Sequence, residues 1–160
     1  MKEKKGEHPF GDAGQLILLG LFIIIWVADS FILRKSTFLS NYLPLYVRLV
    51  VLGITLIIAV FLFRSSHVVV SQEQRPNRVV ADGAFRYVRH PLYLASILVY
   101  LGLTVSTASI FSFIFLVVIW IFHNYLASYE EKLLEVKFGE EYLRYKKRTG
   151  KWMPRIGRVS

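Results

Sequence analysis

Two apolar runs over residues 92–127, LYLASILVYLGLTVSTASIFSFIFLVVIWIFHNYLA, decide the fold of this chain. The first run extends from Leu92 to about Ser106 and the second from Ile110 to about Ala127, with only the residues TAS between them. Apolar runs of this length are typical of buried or membrane helices. Because so short a link keeps two helices as antiparallel neighbours, the sequence predicts a helical hairpin.

Two further apolar runs precede the hairpin, LILLGLFIIIWVADSFIL and LYVRLVVLGITLIIAVFLF. A helix that crosses a bilayer needs about 20 apolar residues. The first run is longer than the apolar part of a signal peptide, and no small-x-small cleavage site follows it, so we expect it to be retained. The sequence therefore predicts an all-α, multi-pass integral membrane protein with one domain, 1–160, and about four transmembrane helices, at about 16–33, 45–63, 92–106 and 110–127.

Composition and charge agree with this class. Hydrophobic residues make up 54% of the chain, and the net charge of +9 is concentrated in the segments between and after the apolar runs. A nucleic-acid-binding protein could be equally basic but would not contain four long apolar runs, so we expect no nucleic-acid partner. The chain has no cysteine and its four histidines lack metal-ligand spacing, so we also expect no metal.

Basic residues also predict the orientation in the membrane. With four spans, the N-terminal lysines, the arginines of 64–91 and the basic tail all lie on one side, and the positive-inside rule places that side, with both termini, in the cytoplasm. The tail predicts a cytosolic amphipathic helix over about 129–148, because an apolar stripe recurs at helical spacing. The stripe contains Leu134, Phe138, Tyr142 and Tyr145.

A basic and aromatic segment, GAFRYVRHPLYLASILVYLGL (83–103), stands at the entrance of the third run. Pro91 suits the first turn of a helix, which makes His90 the residue that caps it. Arg86 and Arg89 would add positive charge, and the flanking tyrosines would add flat aromatic faces. Two interpretations remain open for this segment: an interfacial anchor of aromatic and basic residues, or a site for an anionic group at a helix start.

Two acidic residues, Glu130 and Glu131, directly follow the fourth run. Because both ends of a hairpin return to the same membrane face, Glu130 is expected near His90. These carboxylates could hold a cationic amine, or could simply be favoured in the first turn of a surface helix. A ligand that carries both an amine and a carboxylate would suit this pairing, as S-adenosylmethionine does, and so would a lipid head group. Asp29, near the end of the first run, is expected to reach out to the membrane interface.

Three blocks in order resemble the isoprenylcysteine carboxyl methyltransferase family, and phospholipid N-methyltransferases share the same pattern. The blocks are NRVVADGAFRYVRHPLY (77–93), EE (130–131) and FGEEYLRYKKR (138–148). The resemblance implies S-adenosylmethionine as cofactor, bound by about 77–93 and 128–150. It assigns cofactor contacts to Asn77, Arg78, Val79, Val80, Phe85, His90, Pro91, Leu92, Tyr93 and Glu130. The charges considered above add Arg89 and Glu131 to this set.

The acceptor implied by the resemblance is lipophilic, a prenylcysteine carboxylate or a similar lipidated group held in membrane lipid. The chain departs from the prenylcysteine enzymes at Leu126, where they have a substrate-associated arginine. Phospholipid, thiol and amine acceptors therefore stay open, as do an NADPH-dependent reductase of the sterol-reductase type and a non-enzymatic lipid-binding protein. His90 or His123 would act as general base only if the acceptor must lose a proton.

Overall fold

The computed structural model describes residues 11–72 and 78–155, with the backbone alone for 68–72. Asn77 of the predicted site lies outside the described residues. The described part of the chain is helical and contains no β-strand. Its five α-helices are α1 (Gly11–Val27), α2 (Leu45–Gln72), α3 (Pro91–Thr107), α4 (Ile110–Phe138) and α5 (Glu140–Arg148).

The predicted hairpin is confirmed by α3 and α4, which are joined by two residues. Ala108 ends α3 in the left-handed region with φ of 54°, and Ser109 then caps α4 by accepting a hydrogen bond from the Ser112 N–H at 3.1 Å. A serine at this position satisfies one of the free N–H groups of the helix start. The reversal is therefore compact enough to bring the far ends of both helices together.

Helices α1 and α2 pack on different sides of the hairpin. On the α1 side, Phe22 and Tyr100 meet at 4.7 Å between ring centroids, within a core completed by Leu116 and Ile119 of α4. On the α2 side, a Cβ atom added to Gly102 would lie 2.3 Å from the Thr55 Oγ1 atom. Because Gly102 has no side chain, α2 and α3 can approach each other closely at this point.

Within the described part of the chain, three segments are long and apolar enough to cross a membrane: Gly11–Leu33, Leu45–His67 and Ile110–Phe138. The first combines α1 with a π-helical turn, Ala28–Leu33. Only 11% of its apolar window is buried within the protein, so most of this apolar surface faces outward, as it would toward lipid. The chain therefore has the character of a multi-pass membrane protein, and α3 is a shorter apolar helix beside these three.

The tail differs from the single helix predicted over about 129–148. Helix α4 continues without a break through Glu130 and Glu131 to Phe138, and the separate helix α5 follows. Gly139 lies between them with φ of 53°, a conformation that glycine adopts without steric cost. The prediction of one helix is wrong because this glycine turns the chain, and the turn brings α5 back across the end of the hairpin.

At the closed end of the hairpin, Asp29 is buried, with 2% of its surface exposed. Its Oδ1 accepts the Ser36 N–H at 3.1 Å, and its Oδ2 accepts the hydroxyls of Ser36 and Ser109. The Ser36 hydroxyl in turn accepts the Phe111 N–H at 3.1 Å. The expectation that Asp29 reaches out to the interface is wrong, because these donors hold its carboxylate inside and join the end of α1 to the start of α4.

Candidate functional site

The open end of the hairpin brings His90 against both predicted glutamates. His90 precedes Pro91, the first residue of α3, and 7% of its surface is exposed. Its Nε2 atom lies 3.2 Å from Glu131 Oε1, and its Nδ1 atom lies 3.6 Å from Glu130 Oε2. The expected proximity of Glu130 and His90 is therefore confirmed.

Burial lowers the pKa of His90, but hydrogen bonds and charge from Glu130 and Glu131 outweigh it, so the net shift is upward from 6.5. The two carboxylates therefore favour the protonated form of this imidazole, and His90 lies between both glutamates.

Arg89 is the second cationic residue beside Glu131, and it also forms hydrogen bonds with the chain beyond α5. Its Nε donates to Glu131 Oε1 at 3.0 Å, and its Nη1 donates to the carbonyl of Lys146 at 3.2 Å and to that of Thr149. Its backbone N–H donates to the Gly150 carbonyl at 2.9 Å. Arg89 therefore links the start of α3 with α4, α5 and the segment after α5.

Lys146 supplies a third cation. Its Nζ lies 2.6 Å from Glu135 Oε1 and 3.2 Å from Glu131 Oε2, and these contacts raise the pKa of Lys146. Glu131 is thus surrounded by Arg89, His90 and Lys146, while its own surface is 5% exposed. Both carboxylate oxygens of Glu131 are occupied by protein groups. Glu131 therefore holds these three cations together inside the site.

Glu130 has a different position, because it lines a cavity of about 720 Å³. It accepts the hydroxyl of Tyr93, and 24% of its side chain remains exposed. The cavity is polar at this end and mainly apolar elsewhere. Its polar wall includes Asp12, Gln15, Arg89, His90, Tyr93 and Glu130, and its apolar wall includes Leu56, Ala59, Val60, Phe63, Ala95 and Val99. Cavities that bind small molecules or cofactors are commonly of this size, with a few polar groups in apolar surroundings.

A second histidine lies beside the cavity on α4. His123 is 2% exposed, its Nε2 atom lies 3.3 Å from the Ser96 Oγ atom, and its ring meets that of Tyr93 edge to face at 5.3 Å. Ser96 itself lines the cavity, one turn after Tyr93. The site therefore contains two histidines, one held by carboxylates and one held by a serine and a backbone carbonyl.

Most of the predicted cofactor residues meet at this cavity. Its lining includes Phe85, Arg89, His90, Pro91, Leu92, Tyr93 and Glu130, with Glu131 directly behind them. The segment 78–80 lies elsewhere. Arg78 is exposed and forms an ion pair with Asp82 at 3.8 Å, and the Val79 N–H donates to Glu141 at 2.9 Å. Val80, which is partly buried, is also outside the set of described residues that line the cavity.

Sequence reasoning missed the part of the site that lies after α5. The Trp152 ring lies 6.0 Å from that of His90, and its Nε1 donates to Asn124 Oδ1 at 3.2 Å. The neighbouring Lys151 Nζ donates to the same oxygen at 2.9 Å and to Ser128 Oγ at 2.8 Å. A tryptophan close after a basic amphipathic helix was the available signal, but nothing in the sequence indicates its partner on α4.

The described residues thus define a helical membrane protein with a partly apolar cavity closed at one end by charged side chains. Residues 45–141 match the model of the phospholipid methyltransferase family, and this match covers more than half of the chain. The chain belongs to this family. The matched range contains α2, α3 and all of α4, and with them Arg89, His90 and Glu130 of the cavity wall.

Individual relatives are methyltransferases by name. The chain is 29% identical to a methanethiol S-methyltransferase of Crocosphaera subtropica, over 96% of this chain and 55% of that protein. It is 33% identical to a protein-S-isoprenylcysteine O-methyltransferase of Schizosaccharomyces pombe, over 57% of this chain and 39% of that protein. The chain thus spans about half or less of the length of these relatives, which differ in the acceptor that their names give.

Proposed function

We propose that this protein is a membrane-embedded methyltransferase that uses S-adenosylmethionine and methylates a lipophilic acceptor. The observation that supports this most is the cavity, which combines a charged end with apolar walls. Glu130, Tyr93 and His90 stand at the charged end, and α2 and α3 supply most of the apolar walls. Family membership and the names of the relatives point to the same reaction class.

The residues at the charged end fit the proposed cofactor. The partly exposed Glu130 carboxylate can accept hydrogen bonds from an ammonium group, and Arg89 and His90 supply positive charge for a carboxylate. Phe85 and Tyr93 offer aromatic faces for a planar base or a sulfonium. When bound, the cofactor would supply an activated methyl group. The predicted contacts at 77–80 belong to this proposal as well, and they require that segment to approach the cavity.

The protein's own contribution to the reaction would be alignment and exclusion of water. Methyl transfer is an in-line displacement, so holding donor and acceptor in line can lower the barrier by several kcal/mol. The network of Arg89, His90, Glu131 and Lys146 would fix the position of Glu130. Trp152, next to His90, would cover the charged end from the side of the tail.

The acceptor would reach the cavity from the lipid. Leu56, Val60 and Phe63 present an apolar wall to the cavity, suited to a hydrocarbon chain. Two acceptor types follow from the relatives, a prenylcysteine carboxylate and a small thiol. Leu126 is buried, with 1% of its surface exposed, and it stands where the prenylcysteine enzymes carry an arginine. Because an apolar side chain cannot pair with a carboxylate, this favours the thiol over the carboxylate acceptor.

We also propose that α3 is the fourth span and that all 160 residues form one domain. At about 1.5 Å per residue, the 17 residues of α3 reach about 25 Å, somewhat less than a hydrocarbon core of about 30 Å. Its partner α4 is longer, so the pair can cross together while the charged end lies near the interface. An even number of spans puts both termini on one side, and the basic residues favour the cytoplasm.

Calorimetric titration of the full chain in detergent micelles tests the cofactor. S-adenosylhomocysteine is expected to bind, and NADPH is not. Binding of NADPH without S-adenosylhomocysteine would instead support the reductase alternative, and binding of neither would support a non-enzymatic lipid-binding protein. Incubation with methyl-labelled S-adenosylmethionine and a panel of prenylcysteines, thiols and phospholipids then identifies the acceptor.

A further inference from the structure

Ser96 and His123 form a connected pair at the wall of the cavity. Ser96 lies on α3 and lines the cavity one turn after Tyr93, and its Oγ atom is 3.3 Å from His123 Nε2. His123 lies on α4 behind the serine and is buried, with 2% of its surface exposed. A molecule in the cavity can therefore reach the serine hydroxyl directly and the histidine only through it.

The hydrogen bonds of His123 fix its tautomer. Its Nδ1 atom lies 2.8 Å from the carbonyl oxygen of Ile119, which can only accept, so Nδ1 carries the proton. In the neutral ring the Nε2 atom then has a lone pair directed at Ser96. The Ser96 hydroxyl has a second acceptor, the carbonyl of Tyr93 at 2.8 Å, so its single proton can be donated to either partner.

His90 cannot serve in the same way. Its two nitrogens lie 3.2 Å and 3.6 Å from the carboxylates of Glu131 and Glu130, so both nitrogens already face acidic groups of the protein. His123 has a carbonyl oxygen on one side and a hydroxyl on the other. Of the two histidines, His123 is the one with a free lone pair connected to the cavity.

We infer that Ser96 and His123 accept the proton of the methyl acceptor, and that this acceptor is a thiol. The inference rests on the proposed function. As the thiol sulfur attacks the methyl carbon of the cofactor, a new S–CH₃ bond forms and the cofactor's S–CH₃ bond breaks, with its electron pair passing to the cofactor sulfur. The thiol proton moves to Ser96 Oγ while the Ser96 proton moves to His123 Nε2.

The charge of the site supports this assignment. The cofactor sulfur loses its positive charge in the reaction, and His123 gains one, so the total charge of the cavity and its wall is unchanged. A proton released without an acceptor beside it would instead have to cross the mainly apolar part of the cavity, at a large cost in solvation. A carboxylate acceptor is already ionised and needs no such pair, and Leu126, one turn after His123, supplies no cation for it.

Acceptors of different acidity test this inference in the full chain. Octanethiol must lose its proton during the reaction, thiophenol is more acidic and can be presented already ionised, and octanoate needs no base. The wild-type protein is expected to methylate octanethiol in preference to octanoate. His123→Gln and Ser96→Ala are each expected to lower kcat for octanethiol by about 100-fold, the usual scale for general base catalysis, and to lower it much less for ionised thiophenol.

Binding of S-adenosylhomocysteine by each variant separates the outcomes. A variant with normal affinity and a selective loss with octanethiol supports the proton-accepting pair, because a purely structural role would reduce both thiols equally. An equal loss with both thiols, or a preference for octanoate, would overturn the inference and leave the proposed methyltransferase intact. Absence of S-adenosylhomocysteine binding in the wild-type protein would overturn the proposed function and this inference with it.

Discussion

Each end of the α3–α4 hairpin holds an inward-facing carboxylate, but the two carboxylates differ in their partners and in their exposure. At the closed end, Asp29 accepts hydrogen bonds from Ser36 and Ser109, and 2% of its surface is exposed. At the open end, Glu130 faces a cavity with 24% of its side chain exposed. A buried acid alone therefore does not mark a site here. The difference is whether the carboxylate still has an oxygen that a ligand can reach.

At the open end, the contacts and burial of Glu131 are closer to those of Asp29 than to those of its neighbour Glu130. Its two oxygens contact Arg89, His90 and Lys146, and its surface is 5% exposed. We therefore propose that Glu131 stabilises the fold and that Glu130 binds the ligand. Adjacent residues on one helix differ in this way because consecutive positions point about 100° apart around the helix axis.

Replacing Glu131 with alanine is expected to give the largest effect. The change leaves three cationic side chains around an empty position, and loss of one partner from a buried ion cluster costs about 3–5 kcal/mol. The free energy of unfolding, measured in mixed micelles, checks this value. Glu135→Gln is the matched control, because Glu135 contacts Lys146 and is more exposed. Equal effects of the two changes would show that Glu131 is not the anchor of the cluster.

Replacing Asp29 with asparagine is expected to reduce the free energy of unfolding by about 1–3 kcal/mol. The substitution replaces one carboxylate oxygen with an NH₂ group, which cannot accept the hydrogen bonds of Ser36 and Ser109. Ser109→Ala removes one of these bonds and is expected to have a smaller effect. Affinity for S-adenosylhomocysteine should stay unchanged in both variants that remain folded. A loss of affinity without a loss of stability would contradict the structural role given to this end.

The effect of pH on stability should come from His90 and be smaller. The pKa of His90 is raised in the folded state, so its stabilising contribution is complete below about pH 6.5 and is lost as the pH rises through the folded-state value. Unfolding measured from below pH 6.5 upward should therefore show stability decreasing in the wild-type protein, with a weaker decrease in His90→Gln. Identical pH profiles would show that Glu130 and Glu131 do not hold a protonated His90.

The sequence allowed the open end to be predicted better than the rest of the molecule. The short TAS link requires a hairpin, and a hairpin necessarily returns Glu130 to His90. The walls from α1 and α2 were not predictable, because these helices are apolar on all sides and their sequences do not indicate an inward face. The contact between Asp29 and Ser109 joins residues that are 80 positions apart, and only the packing of α1 on the hairpin brings them together.

The turn at Gly139 is a different case, because its signal was present in the sequence. A glycine after the last residue of a helical stripe commonly ends a helix, and FGEE contains this signal directly before two acids that favour a new helix start. The stripe itself was predicted, but it is divided between two helices. Leu134 on α4 lines the cavity, and Tyr142 on α5 is 2% exposed.

Titration of S-adenosylhomocysteine into Glu130→Gln and Asp29→Asn, each beside the wild-type protein, shows at which end of the hairpin the cofactor binds. Glu130→Gln is expected to weaken binding by about 1–3 kcal/mol, the scale of a hydrogen bond to a charged group, while Asp29→Asn is expected to bind as the wild-type protein does. Unchanged affinity in Glu130→Gln, or an equal loss in both variants, would contradict the assignment of the cofactor to the open end of the hairpin.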